Sequence, residues 1–154
     1  MMTPEPSTGI VSGEVHLFPI RVYFEDTDAG GVVYHANYLQ FAERARTEML
    51  RSIGFAQSRL AAQTGVFFVM RRCVADFLVP ARLDDHLVVA SRLVALRGAS
   101  LDLDQTVMRD GLELARFAVK LACMSQAGRA VRMPSAVRAA FAAISGNFWS
   151  DDGK

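Results

Sequence analysis

The chain has 154 residues, of which 51% are hydrophobic, enough for one domain around one core. Seventeen basic against sixteen acidic side chains leave a formal charge of +1, so no strong field exists to recruit nucleic acid or an anionic membrane surface. Cys73 and Cys123 stand outside any Cys-x-x-Cys or Cys/His spacing and read as buried thiols of a reducing compartment. No basic segment with an apolar run opens the chain, and apolar stretches such as Val66 to Met70 are too short to span a bilayer, so the expected location is cytoplasmic.

Met1 to Gly13 is rich in Pro, Ser, Thr and Gly and is expected to fray, as is the stretch from Ser145 to Lys154, polar apart from Phe148 and Trp149. Glu14 to Phe24 is β-branched and aromatic and reads as a strand, with Pro19 marking an irregular or edge-like start. A loop of Asp, Thr, Ala and paired glycines follows. Tyr38, Ala42, Ala45, Met49 and Ile53 then recur at steps of three and four, joined by Phe41 and Leu50, which predicts an amphipathic helix from Tyr38 to Ile53. Asn37 suits its N-cap with Gln40 bonding back, and Gly54 its stop.

A short helix is predicted over Gln57 to Gln63, then strands over Phe67 to Val79, His86 to Leu96, Ser100 to Arg109 and Leu112 to Met124. Asp110-Gly111 is a hairpin signal and Arg97-Gly98-Ala99 a plausible turn. In the last strand Ala115, Phe117, Val119, Leu121 and Cys123 share one face, and Arg116 and Lys120 the other. A final helix is predicted over Ser135 to Ile144, behind Pro134. One long helix before a run of antiparallel strands is an α+β layout in which a curved sheet wraps the helix. The outer sheet face and an edge strand stay open, so pairing with a second copy is expected.

Asp26, Asp28 and His35 crowd the loop that enters the long helix. A helix N-terminus offers N–H groups without intrahelical partners and a partial positive charge, suited to a developing oxyanion. A carboxylate beside it adds a base or nucleophile, and the two together are the minimum for acyl transfer. Gly30 and Gly31 would let the backbone approach a substrate. The same residues also read as turn formers, with Asp26 and Asp28 capping bends, the glycines at positive φ and His35 bonding locally.

The segment Arg21 to Phe55, RVYFEDTDAGGVVYHANYLQFAERARTEMLRSIGF, resembles the signature of the 4-hydroxybenzoyl-CoA thioesterase family of hotdog proteins. It is most similar to the branch of short-chain acyl-CoA thioesterases associated with the bacterial Tol-Pal system. Weaker similarity runs through VPARLDDHL (Val79 to Leu87) and LRGASL (Leu96 to Leu101). The resemblance implies a single hotdog domain over residues 14–144, between tails 1–13 and 145–154. It implies a long central helix wrapped by an antiparallel sheet, and assembly as a homotetramer, a dimer of dimers. The implied catalytic residues are Asp28, as base or nucleophile, and His35, as orienting group, with polarising N–H groups at the helix start. Substrate binding falls on Gly30, Gly31, Val32, Tyr34, Ala36 and Tyr38. The implied substrate is an acyl-CoA, with coenzyme A as part of it and no separate cofactor; acyl carrier protein is a further possible partner. The sequence departs from the branch at Tyr23-Phe24, where a second tyrosine is usual; the hydroxyl relay implied there is then either absent or supplied by another group such as Tyr34 or Tyr38.

Other readings have less behind them. Asp26-x-Asp28 offers too few oxygens for a cation, so no metal is expected. Glu43 falls on the helix's polar side with Arg46 and Thr47, Glu48 pairs with Arg44, and Arg97 and Arg109 are candidates for coenzyme A phosphates. Ser100 and Ser125 lack a nucleophile elbow, and Cys73 sits mid-strand. A scaffold role in envelope or phospholipid-synthesis machinery is the alternative function. A hotdog dehydratase ranks last, because its Asp-x-Asn-Pro-x-His pattern is not found.

Overall fold

In the computed structural model, which describes residues 1–145, the chain runs through β1 (Ile10–Ser12), β2 (Val15–Arg21), a 3₁₀ turn (Phe24–Asp26), α1 (His35–Ser52) and α2 (Gln57–Thr64), then β3 (Val66–Phe77), β4 (His86–Leu96), β5 (Ser100–Arg109), β6 (Leu112–Ser125) and α3 (Ser135–Ile144). The predicted strands and helices are present, with ends displaced by a few residues. Two differences are larger. Part of the N-terminal stretch expected to fray is β1, which pairs with β2 through Ile10↔Leu17 and Ser12↔Val15. At the other end Ser145 is buried, its hydroxyl donating to Ala142 O at 3.0 Å, while Phe148 and Trp149 lie outside the described residues.

The six strands form one antiparallel sheet in the order β1-β2-β4-β5-β6-β3, so α1 and α2 carry the chain from one side of the sheet to its far edge. Asp110 (φ 50) and Gly111 (φ 80) both take positive φ in the β5–β6 turn, the requirement of the tightest hairpin. Register shifts at Met70/Arg72, Leu93/Ala95 and Val107/Met108 bend the strands, and α1 packs on β2, β4 and β5 inside the curve. Tyr38, Phe41, Ala42, Ala45, Met49 and Leu50 form its buried stripe, against Leu87, Val89, Leu101, Leu103, Phe117 and Val119 of the sheet.

Arg46 departs from its predicted place on the polar side of the helix. It is buried, donating from Nη1 to Gln105 Oε1 at 2.9 Å and from Nη2 to Glu43 Oε2 at 2.7 Å. Gln105 Nε2 in turn donates to Ala42 O at 3.0 Å and Ser91 Oγ at 2.9 Å. The helix is thereby tied to β4 and β5 by directional bonds as well as by packing. Glu48 pairs with Arg51 at 3.2 Å, one turn onward, rather than with Arg44.

The turn before β4 is pinned by Asp85, whose Oδ2 accepts from Arg82 N–H at 2.8 Å and Arg109 Nη1 at 2.5 Å. Burial alone would raise the Asp85 carboxyl, but the Arg82 N–H and the Arg109 guanidinium outweigh it and hold the group below its ordinary 3.8. The same turn bonds Val22 from both sides, through Asp84 N–H to Val22 O at 3.0 Å and Val22 N–H to Asp85 O at 2.9 Å.

Gln105→Leu leaves a buried guanidinium one acceptor short and should cost about 3 kcal/mol, while adding Arg46→Met should recover part of that loss; urea unfolding in which the double variant is as damaged as the sum of the singles would contradict the network. A depressed carboxyl stabilises the fold above its unfolded value and loses that contribution as pH falls through its folded value. The stability gap between wild type and Asp85→Asn should therefore be widest above pH 3.8 and close below it, as read by thermal melts across an acid series.

Candidate active site

The loop between β2 and α1 is built on one buried carboxylate. Asp26 is 2% exposed. Its Oδ2 accepts from Tyr23 N–H at 2.8 Å, its Oδ1 accepts from Asn37 Nδ2 at 3.0 Å, and its carbonyl accepts from Tyr34 N–H at 2.9 Å. Asp26 therefore joins the 3₁₀ turn, the returning arm of the loop and the first turn of α1. Above this clamp the residues between form a small hairpin, with Thr27 paired to Val33, Asp28 N–H donating to Val32 O at 2.9 Å and Gly31 N–H to Asp28 O at 3.0 Å. A second set of bonds docks the hairpin on the turn before β4, through Val33 N–H to Ala81 O at 2.9 Å and the bridge of Val32 with Arg82.

Asp28 sits exposed at the hairpin tip, its Oδ1 accepting from Gly30 N–H at 2.8 Å. The two glycines have different tasks. A β-carbon at Gly30 would stand 3.1 Å from that carboxylate oxygen, while Gly31 turns the chain at φ +75. Positive φ is thus needed at Gly31 only.

The helix begins at His35, with Tyr34 as its N-cap and no side-chain cap bond. Asn37 is not the cap that spacing suggested: it lies within the first turn and gives its amide to Asp26. The helix end is instead held by Asp26, which accepts from Tyr34 N–H with its carbonyl and from the Asn37 side chain with its carboxylate and takes no backbone N–H of the helix itself. Tyr34 N–H goes to Asp26 O and Asn37 N–H to Tyr34 O at 2.8 Å, which leaves the N–H groups of His35 and Ala36 as the open donors of the first turn.

The His35 ring is exposed and lies against Tyr34 at 4.4 Å and Phe77 at 6.1 Å between centroids. The bond that the Asp28 carboxylate makes in the structure is to Gly30 N–H. Tyr38 is buried and its hydroxyl accepts from Ala81 N–H at 2.9 Å; burial pushes the phenol above its ordinary value despite that bond. The Tyr38 hydroxyl thus has one acceptor site taken by the fold, with its own O–H left to donate. Phe24 stands largely in solvent, and Tyr34 is about half-exposed, with its ring against His35. Val32 takes part through its backbone.

Tyr38 contributes its ring to a cleft beside the helix start, lined by Val33, His35, Tyr38, Phe77, Leu78, Val79 and Pro80. Apart from Tyr38 and His35, sequence reasoning did not reach this wall; the signal is the apolar run Phe77-Leu78-Val79 ending at Pro80, where the strand stops. The spacing of Asp26 and Asn37 carries no hint of their bond across the loop.

The remaining candidates disperse. Arg97 makes two bonds to the Asp102 carboxylate at 3.0 and 2.8 Å, and Arg109 bonds Asp85, so both guanidiniums proposed for phosphates already have carboxylate partners. Glu43 is the exposed partner of Arg46. Burial raises the Cys123 thiol to about 11 and also raises Cys73, which is only partly buried; neither is a ready thiolate. Among the described residues no group of three or more His, Cys, Asp or Glu side chains comes together, and no helix is long and apolar enough to cross a membrane.

Residues 22–141 match the model of the thioesterase-like superfamily. The chain is 46% identical over 125 residues to a Haemophilus influenzae protein named acyl-CoA thioesterase YbgC, spanning 80% of this chain and 92% of that one. A probable thioesterase from Bartonella henselae superposes with a TM-score of 0.76 at 38% identity, covering 78% of this chain and 99% of that one. A thioesterase from Thermus thermophilus, solved with coenzyme A and zinc, gives 0.74 at 28% identity over 85% and 94%. The helix wrapped by an antiparallel sheet is thus the hotdog arrangement, and the chain belongs to the thioesterase-like superfamily.

Proposed function

We propose that this chain hydrolyses acyl-CoA thioesters to the free acid and coenzyme A at the tip of the Asp28 hairpin. The observation that carries this is the placing of one oriented carboxylate on a clamped loop that runs straight into two open helix N–H groups. The thioester carbonyl oxygen lies against the N–H groups of His35 and Ala36, which stabilise the negative charge that develops there. Water adds to the carbonyl carbon as Asp28 takes its proton. Alternatively, Asp28 adds directly and water opens the resulting anhydride. In either route the C–S bond breaks and the sulfur leaves with coenzyme A. The relative named for acyl-CoA hydrolysis and the related structure holding coenzyme A support this substrate class.

The reading extends to short acyl chains, to a cytoplasmic location and to assembly. β3 is a twelve-residue edge strand with Phe67, Met70, Val74 and Phe77 all more than a third exposed, an edge that a second copy can cover. A dimer of dimers follows the resemblance, as do acyl carrier protein as an alternative thioester donor and a link to the Tol-Pal system.

Asp28→Asn should lower kcat by about 10²- to 10⁴-fold, measured as thiol release from an acyl-CoA panel; a variant with the full wild-type rate would remove Asp28 from the mechanism. Light scattering should give a mass at a multiple of 16.9 kDa, and a fully active monomer would overturn the assembly.

A further inference from the structure

Phe77 ends β3, where the chain turns away from the sheet edge. Its ring meets three others, His35 at 6.1 Å, Tyr38 at 5.7 Å and Phe117 at 6.1 Å, the first and last nearly edge-on. Two of these neighbours cannot yield. Phe117 is 2% exposed in the middle of β6, and Tyr38 is anchored at both ends, by its place in α1 and by the bond from Ala81 N–H. The third, His35, carries one of the two open N–H groups. Phe77 itself is 49% exposed. It is therefore the wall residue that spans from the helix start to the buried floor, and its own size sets the depth left open between them.

The cleft it closes is apolar apart from the His35 ring, with Val33, Leu78, Val79 and Pro80 completing the wall. Because His35 lines this same cleft together with Tyr38 and Phe77, a carbonyl held on His35 N–H has an apolar hollow beside it that can take its carbon chain. We infer that this cleft seats the acyl chain and that Phe77 is the residue that sets the chain length accepted, making the substrate an unbranched or aromatic acyl group short enough to end on its ring. This rests on the thioesterase reading above and adds the acyl selectivity of that site.

The test is kcat/KM, from thiol release, across straight-chain acyl-CoAs from acetyl to decanoyl, for wild type, Phe77→Ala, Phe77→Leu and Phe77→Trp. Each methylene newly seated contributes roughly fourfold. Phe77→Ala should thus move the optimum to longer chains, raising kcat/KM over wild type by about that factor for each of the first methylenes beyond the wild-type optimum, chiefly through KM. Phe77→Trp should move the optimum the other way, and Phe77→Leu, the variant least prone to disturb folding, should fall between wild type and Ala. Profiles that stay parallel to wild type, scaled by one factor at every length, make the ring a packing residue and overturn the inference while leaving the hydrolase intact. A wild-type protein that releases no thiol from any member overturns the hydrolase reading itself, and the inference with it.

Discussion

The buried Asp26 carboxylate is the constraint on which the site depends. Three segments meet at this residue: Tyr23 N–H from the 3₁₀ turn and the Asn37 side-chain amide from the helix donate to its carboxylate, and Tyr34 N–H from the returning arm donates to its backbone carbonyl. A carboxylate out of water is costly unless its oxygens are bonded, and here both are. The result is a short hairpin whose base cannot open without exposing a charge to an apolar setting, so the tip that carries Asp28 is held although it stands in solvent. Loop residues usually gain such definition from length or disulfides; this loop gains it from one side chain.

A second buried polar group fixes the other half of the arrangement. Gln105 faces Ala42, Ser91 and Arg46 at once and so sets how far α1 has slid along the sheet, a degree of freedom that Leu, Val and Phe contacts specify only loosely. One turn of slip would move His35 by about 5.4 Å relative to β4 and the turn before it, and would part the Tyr38 hydroxyl from Ala81. The two anchors act in series: Gln105 and Arg46 place the helix on the sheet, and Asp26 places the loop on the helix.

How much of this was legible in the sequence depends on whether the deciding interaction was local. Periodicity found α1, the four long strands and α3 because each buries a face whose spacing is written in consecutive residues. The Asp110-Gly111 turn was equally plain, since positive φ at two successive positions needs those residue types. Periodicity misplaced Arg46, since a long side chain can bury its charge when a residue 59 positions away supplies the acceptor. It also put Asn37 at the cap, because a capping side chain and a cross-loop clamp use the same amide. β1 was missed because three exposed residues carry no pattern; its pairing with β2 decides it. In the site, Asp28 and the glycines were visible as a loop before a helix, and only the family signature gave them chemistry. The Phe77 wall was not visible, because it is made by a strand that follows α1 by a further helix and reaches the site only through the sheet order.

The unusual start of α1 links stability to chemistry. A Ser, Thr, Asp or Asn at the N-cap would place its oxygen on the N–H of the second or third helical residue and stabilise the helix by about 1 kcal/mol. Here the N-cap is Tyr34, without such a bond, and the second helical residue is Ala36, one of the two open donors. A better cap would therefore occupy the group that the thioester oxygen needs. Asp26 resolves the conflict from outside: it takes Tyr34 N–H by its carbonyl and the Asn37 side chain by its carboxylate, anchoring the helix end by groups that leave His35 and Ala36 N–H unblocked. The chain thus forgoes local capping to keep two donors open, and offsets the loss with a bond made across the loop.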